Sequence, residues 1–199
     1  MLFESGLYAK LPVDLPERLA LAVLDVAGAP ALMRKATRPD ACVCVMGTGK
    51  AGLLALAEAK RAKGKGGLVV AIEASREQAE RVRGLGLADI VLEGDCTRPL
   101  PVHVRFLEAT RGRLADVTMN VVNVPNTETL SILLTRDGGE VHFFSMATSF
   151  QRAALTAEGL GRDVRMLIGS GYTRGWVDVA LDALRGDAGL RRYFETRYA

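Results

Sequence analysis

The sequence contains few cysteines and no long apolar run. Cys42, Cys44 and Cys96 are its three cysteines; they stand in apolar surroundings, and no His or second Cys pair follows at zinc spacing. We therefore expect buried, reduced thiols in a cytoplasmic protein, with neither a disulfide scaffold nor a metal site. No stretch approaches the roughly 20 apolar residues of a membrane helix, so no membrane partner is expected.

Charge of one sign is not concentrated anywhere in the chain. The 26 basic and 23 acidic residues are interspersed through 199 positions, and the single short basic stretch covers residues 60–65. Such a pattern is typical of a solvated surface, so nucleic acid is not an expected partner. The two histidines, His103 and His142, fall in a predicted surface helix and a predicted strand. Because no paired carboxylates or Ser/His/Asp spacing accompany them, we assign no catalytic residue.

What the sequence does contain is a regular alternation of apolar segments and amphipathic stretches. Strands are predicted over residues 41–46, 67–73, 88–92, 115–122, 140–144 and 164–168. Helices are predicted over residues 50–63, 76–83, 101–111, 127–135, 150–161, 176–185 and 189–198. Strands that alternate with helices of this length indicate crossover connections. The expected fold is therefore α/β: a Rossmann-type, doubly wound parallel sheet of six strands with helices on both faces.

Residues 1–36 precede the first strand and differ in character from the rest. A proline-punctuated extended segment at 11–16 leads into an Ala/Leu-rich helix predicted over 17–27. Gly28 and Pro30 are expected to end that helix, and residues 32–37 to add a further helical turn.

A glycine-rich motif joins the first strand to the helix that follows it. Gly47 permits a tight turn, Gly49 lets a pyrophosphate approach the backbone, and Gly52 allows close packing of helix on strand. Backbone N–H groups at the start of the helix would hold the phosphate oxygens. The motif predicts a dinucleotide site that includes Gly47, Thr48, Gly49, Lys50, Ala51 and Gly52.

The choice between NAD and NADP depends on the end of the second strand. Glu73 lies 21 residues after Gly52, where a carboxylate accepts hydrogen bonds from the adenosine ribose and repels a 2′-phosphate. Ala74 follows, and then Ser75 and Arg76, which are residue types that would hold such a phosphate. We predict NAD, with NADP as the alternative.

A P-loop is the competing interpretation of Gly49-Lys50. That motif needs a glycine five positions before this pair, where Cys44 stands, and a Ser or Thr after the lysine, where Ala51 stands. The P-loop interpretation therefore fails. Lys50 is expected to lie near the pyrophosphate or to be exposed to solvent.

Polar residues also follow the later strands. Asn123 and Val124 end the fourth strand, Ser145 and Met146 follow the fifth, and residues 169–172 follow the sixth. Ligands bind at the carboxyl ends of strands in such sheets, so these loops are expected to line the nicotinamide side. For Asn123 and Ser145, capping of the next helix is an equally good interpretation.

Several sequence segments resemble segments of medium-chain dehydrogenases of the alcohol dehydrogenase type. They are VMGTGKAGLL (45–54), VNVPNTE (122–128), FFSMATSF (143–150), AEGLG (157–161) and GSGYT (169–173). The resemblance is to a branch that deaminates a small diamino acid in lysine fermentation. It implies NAD(P)-dependent oxidative deamination, with loss of ammonia, in a homodimer that pairs through the edge of the last strand.

The resemblance also implies that the N-terminal catalytic domain of this family is missing here. Residues 1–36 would then be the connection from that domain and residues 37–199 the NAD(P)-binding domain, inactive alone. Apolar residues near the start would be orphaned contacts: Leu2, Phe3, Leu7, Tyr8 and Leu11. One alternative is a free-standing NAD(H)-sensing module that regulates a partner. Another is a medium-chain dehydrogenase with a different substrate, and an S-adenosylmethionine methyltransferase fits the loops less well.

Overall fold

The computed structural model describes residues 6–168 and 171–199. Its sheet contains β1 (Cys42–Met46), β2 (Leu68–Glu73), β3 (Ile90–Glu93), β4 (Ala115–Asn120), β5 (Thr135–Phe143) and β6 (Val164–Ile168). Its helices are α1 (Glu17–Leu24), α2 (Gly28–Ala36), α3 (Lys50–Ala62), α4 (Arg76–Leu85), α5 (Pro99–Thr110), α6 (Glu128–Leu134), α7 (Phe150–Leu160), α8 (Trp176–Arg185) and α9 (Ala188–Tyr198).

All six strands pair in parallel, in the order β3-β2-β1-β4-β5-β6. The order reverses between β1 and β4, where the two halves of a doubly wound sheet meet. The predicted Rossmann-type fold is confirmed. Its two halves bring the carboxyl ends of β1 and β4 together at one edge, which is where a ligand is expected.

Alternation along β1 divides the core between the two faces of the sheet. Val43 and Val45 pack with α2, α3 and α8 on one face, whereas Cys42 and Cys44 pack with α5 and α6 on the other. Every residue of β1 is buried, as expected of a central parallel strand covered on both sides. All three cysteines are free and buried.

The prediction that Gly28 and Pro30 end the first helix is wrong, because both residues lie in the first turn of α2. Proline is tolerated there, since the first N–H groups of a helix have no intrahelical partner. Glycine is required at position 28 for a steric reason. A Cβ on Gly28 would lie 2.0 Å from the carbonyl oxygen of Gly171, so α2 and the segment after β6 touch backbone to backbone.

Helices α1 and α2 share the core of the sheet. Leu19 and Val23 of α1 are fully buried, and α2 packs against α3 and α8. Buried Glu58 of α3 receives two hydrogen bonds from Arg34 of α2, at 2.6 and 3.0 Å, and one from Arg61 at 2.7 Å. Residues 15–36 are thus built into the same body as the sheet, and their origin as an interdomain connection stays a prediction.

The extended segment before α1 exposes apolar side chains. Leu7, Tyr8 and Leu11 are 62%, 77% and 41% exposed, whereas Leu2 and Phe3 lie outside the described residues. In the described part of the chain, no helix is long and apolar enough to cross a membrane. The same residues contain no cluster of three or more His, Cys, Asp or Glu side chains arranged to hold a metal ion.

Candidate functional site

The three glycines of the motif meet three different steric demands. Gly47 has a φ of +86°, and its N–H donates to the carbonyl of Ile72 at 2.8 Å, so the chain turns sharply as it leaves β1. A Cβ on Gly52 would lie 2.0 Å from the carbonyl oxygen of Gly47. A Cβ on Gly49 would meet nothing within 4 Å. The turn is therefore closed at Gly47 and Gly52 and open to an incoming group at Gly49.

Thr48 and Glu73 join the glycine turn to the end of β2. One carboxylate oxygen of Glu73, Oε2, accepts from the Thr48 N–H at 3.0 Å and from its hydroxyl at 2.6 Å. The other, Oε1, accepts from the N–H of Ser75 at 3.0 Å. Since a carboxylate has about four acceptor positions, roughly one remains for a ligand hydroxyl. Glu73 thus fixes the turn as well as facing the site.

A cavity of about 310 Å³ lies at the carboxyl ends of β1 to β4 and is called here the strand-end cavity. It brings together these predicted residues: Gly47, Thr48, Gly49, Glu73, Ala74, Asn123 and Val124. It is completed by residues that the sequence analysis missed: Ile72, Asp95, Cys96, Thr97, Val121 and Val122. The position of the site at the reversal of strand order agrees with the general rule for open α/β sheets.

The loop after β3 is the main omission of the sequence analysis. Asp95 Oδ1 accepts from the hydroxyl and the N–H of Thr97 at 2.7 and 2.9 Å, and these two hydrogen bonds lower the pKa of that carboxyl. Cys96 between them is 5% exposed, and burial raises its pKa to about 12. The position of this loop at the site could have been predicted, because a third parallel strand must end at the same edge of the sheet as the first two.

Ser75 and Arg76 lie outside the strand-end cavity. The Ser75 hydroxyl accepts from the N–H of Gln78 at 3.3 Å and caps α4, and Arg76 begins that helix as an exposed residue. Ser75 contributes instead to a neighbouring cavity of about 460 Å³ between the glycine turn, α4 and α9, called here the α9 groove. Its lining is Thr48, Gly49, Glu73, Ser75, Glu77, Gln78, Arg81, Tyr193, Arg197 and Tyr198.

The Lys50 side chain is directed to the N-terminal helices. Its ammonium contacts the Asp25 carboxylate at 2.7 Å and lies 5.8 Å from the centre of the Tyr198 ring. What Lys50 offers to a phosphate at the turn is therefore its backbone N–H, one of the free donors at the start of α3. Ala51 and Gly52 follow in the first turn of α3, outside the strand-end cavity.

Neither Asn123 nor Ser145 caps a helix. The residue before α6 is Thr127, and α7 is capped by Ser149, whose hydroxyl accepts from the N–H of Arg152 at 3.3 Å. The Ser145 hydroxyl instead accepts from the N–H of Ala147 at 3.0 Å within its own turn. The capping alternative is therefore wrong for both residues, and Asn123 is left exposed at the strand-end cavity.

The loops after β4 and β5 are held by two buried polar residues. Asn120 donates to Thr127 and Ser131 and accepts from the N–H of Val122 at 3.0 Å. Glu128 accepts from the N–H of Ser149 at 2.6 Å and so joins α6 to the loop after β5. That loop carries Ser145 and Met146, which is 94% exposed, outside the strand-end cavity. Residues 169 and 170, predicted to line the nicotinamide side, lie outside the described residues.

His142 lies in β5, and its Nδ1 is buried without a hydrogen-bond partner among the described residues. It is 3% exposed in β5, and its Nε2 lies 3.1 Å from Oε2 of Glu140. His103 in α5 is half-buried, and burial, followed by the charge of Arg162, lowers its pKa. Neither histidine lines the strand-end cavity.

These features define a class of protein: an α/β domain of the Rossmann type, with a cavity at the strand-order reversal and a glycine turn on its wall. Solved structures share this fold. The structure described as AibC has a TM-score of 0.72 at 20% identity over 91% of this chain and 53% of its own. The alcohol dehydrogenase of Aeropyrum pernix has a TM-score of 0.69 at 22% identity over 90% of this chain and 52% of its own. At these identities the likeness shows the fold alone.

The chain is similar over its whole length to a particular enzyme, L-erythro-3,5-diaminohexanoate dehydrogenase. It is 46% identical to the protein of that name from Acetoanaerobium sticklandii and 43% identical to the one from Fusobacterium nucleatum subsp. nucleatum. The chain spans 58% of the length of each of these relatives. No protein-family model matches it.

Proposed function

We propose that this chain is the NAD(P)-binding part of a dehydrogenase that deaminates L-erythro-3,5-diaminohexanoate. The observation that carries the proposal is the identity of 46% over all 199 residues to a dehydrogenase of that name. When bound, the oxidised nicotinamide would accept the hydride from the carbon that bears the 3-amino group, a proton would pass to solvent, and water would hydrolyse the imine to 5-amino-3-oxohexanoate and ammonia. A medium-chain dehydrogenase with another substrate is the first alternative.

The residues around the strand-end cavity fit a dinucleotide. The open space at Gly49 admits a pyrophosphate to the backbone, and the free N–H groups at the start of α3 would bind its oxygens. Glu73 keeps one acceptor position for a ribose hydroxyl, and a carboxylate there favours NAD over NADP. Asn123 and Val124 would continue the site towards the nicotinamide, with Ser145 and Met146 beyond them.

No residue described here is assigned to proton transfer, so we propose that the chain alone binds the cofactor and turns over no substrate. The catalytic residues would lie in the part of the relatives that this chain does not match. Exposed Leu7, Tyr8 and Leu11 support a role of residues 1–36 as the connection to that part. A free-standing NAD(H)-sensing module is the second alternative, and it would keep these side chains exposed in the working protein.

Isothermal titration of the chain with NADH and NADPH tests the proposal directly. We expect NADH to bind and NADPH to bind more weakly, because of the Glu73 carboxylate. Failure of both to bind would refute the dinucleotide site. Tighter binding of NADPH would refute the role given to Glu73 while leaving the site itself in place.

We further propose a homodimer that pairs through β6, which is at one edge of the sheet while β3 is at the other. Leu167 and Ile168 are each 40% exposed on β6, and no strand in the described part of the chain pairs with its outer side. Analytical ultracentrifugation should give twice the chain mass of 21.3 kDa. A monomer at micromolar concentration would contradict it.

Three free thiols support a reducing cytoplasmic setting for the lysine-degrading reaction.

A further inference from the structure

The α9 groove and the strand-end cavity meet at three residues. Thr48, Gly49 and Glu73 line both of them, so the Glu73 carboxylate stands at the boundary. If the adenosine ribose binds at Glu73, as the proposed function requires, its hydroxyls lie next to the entrance of the α9 groove. A group attached to such a hydroxyl would therefore enter the groove.

Helix α9 is fixed against the glycine turn by contacts that cross three elements. The Tyr193 hydroxyl donates to Oε1 of Gln78 at 3.3 Å, and Nε2 of Gln78 donates to the carbonyl of Thr48 at 2.8 Å. Phe194 is fully buried, with its ring 5.3 Å from that of Tyr198. The last turn of α9 thus packs beside the proposed ribose site.

One cation in the α9 groove has no carboxylate to neutralise it. The carboxylate of Glu73 is held by hydrogen bonds from Thr48 and Ser75 rather than by an ion pair, and Glu77 is paired with Arg81. Among the described residues, no carboxylate lies within ion-pair distance of Arg197, and the phenol groups of Tyr193 and Tyr198 raise its pKa further above the neutral range. Arg197 therefore brings an uncompensated positive charge to the groove.

We propose that Arg197 of α9 reads the 2′ position of the adenosine ribose and binds the 2′-phosphate of NADP in the α9 groove. This proposal rests on the proposed dinucleotide site. A guanidinium suits a phosphate because two parallel N–H groups match two phosphate oxygens. Arg76, the residue that the sequence suggests for this role, lines neither cavity. Arg197 would thus moderate the preference for NAD that Glu73 imposes.

The experiment compares NADH and NADPH affinities of Arg197→Ala, Arg197→Lys and wild type by titration. In Arg197→Ala we expect NADPH to bind about tenfold more weakly, since one exposed charge-assisted contact is lost, with NADH unchanged. Arg197→Lys should retain part of the NADPH affinity, because it keeps the charge without the paired N–H groups. Arg192→Ala is the matched control: Arg192 is exposed on the same helix but lies outside the groove, and both affinities should be unchanged.

The outcomes separate this inference from the proposed function. Wild-type protein that binds neither dinucleotide would refute the proposed function and the inference together. NADH binding without measurable NADPH binding, or an equal loss of both affinities in Arg197→Ala, would refute the inference alone. Arg76→Ala is titrated alongside these variants: a loss of NADPH affinity in Arg76→Ala, with none in Arg197→Ala, would assign the 2′ position to α4 instead and would also overturn the inference.

Discussion

Alanine at Gly49 and alanine at Gly52 should separate cofactor binding from folding. At Gly52 the new methyl group would lie 2.0 Å from the carbonyl oxygen of Gly47, a backbone atom that cannot rotate away. Overpacking of this kind costs about 1–3 kcal/mol, and the better helix propensity of alanine returns about 0.5–1 kcal/mol. We expect Gly52→Ala to lose about 1–2 kcal/mol net, which lowers the melting temperature by about 2–8 °C in a domain of this size.

Gly49→Ala should weaken cofactor binding and leave the stability of the fold nearly unchanged. Its methyl group meets nothing within 4 Å, and the residue has an ordinary φ of −69°. The weaker N-cap of alanine, about 0.5–1 kcal/mol, is offset by a similar loss of unfolded-chain entropy, so stability should stay within about 0.5 kcal/mol. The methyl group would occupy the space assigned to the pyrophosphate, and NADH should bind at least about tenfold more weakly, or about 1.4 kcal/mol.

Thermal unfolding by circular dichroism and NADH titration, carried out on both variants, measure the two effects. Wild-type affinity in Gly49→Ala would show that the phosphates do not approach the turn at this residue. An unchanged melting temperature in Gly52→Ala would show that α3 is free to move away from the turn. Either result would refute the division of roles between these glycines.

Three further predictions concern stability and reactivity. Glu58→Ala should lose about 2 kcal/mol of unfolding free energy in urea denaturation, because it removes a buried carboxylate with two arginine partners. The control is Glu80→Ala, which breaks an exposed ion pair and should change the unfolding free energy by less than about 0.5 kcal/mol; equal effects of the two variants would contradict this. Burial alone would raise the pKa of Asp116, but the Cys42 N–H, Arg136 and Arg113 outweigh it and lower the pKa. Its stabilising effect is therefore full above the unfolded pKa of about 3.9 and is lost as the pH falls through the lower folded pKa. Asp116→Asn should be less stable than wild type at pH 7, and the difference should shrink as the pH falls below about 3.9; a constant difference would refute this. Burial raises the pKa of Cys42 to about 11, that of Cys96 to about 12 and that of Cys44 well above its usual value, so Ellman's reagent should label no thiol at pH 7.5 in the native state and three in urea.

The fold was predictable from the sequence, because the elements that the local hydrophobic patterns predict alternate in the order that a doubly wound parallel sheet requires. The apolar run of β1 and the Ala/Leu-rich stretch of α3 each predict one element, and their alternation leaves a parallel sheet as the natural arrangement. The boundary at Gly28 was not predictable. Local rules place glycine at helix ends, whereas here a contact with Gly171, 143 positions away in sequence, requires it inside the first turn.

The parts of the site that are formed by contiguous backbone were predictable from the sequence. The parts that are formed by side chains far apart in the sequence were not. The steric conditions at Gly47 and Gly52 follow from a strand–turn–helix unit of contiguous residues. The partner of Lys50 is Asp25, and the groove beside Glu73 is closed by Arg197, both contributed by helices at opposite ends of the chain. No spacing rule connects such residues, because only the packing of α1 and α9 brings them to the turn.

The backbone contact between Gly28 and Gly171 has a mechanical consequence. Since no methyl group fits between the two glycines, the first turn of α2 cannot shift towards the segment after β6 without displacing it. On its other side α2 packs against α3, the helix that follows the glycine turn. The contact therefore limits how closely α2 and residue 171 can approach each other. Any side chain larger than that of glycine at position 28 would force α2 away from residue 171, so this glycine sets the spacing between the helix and the chain that follows β6.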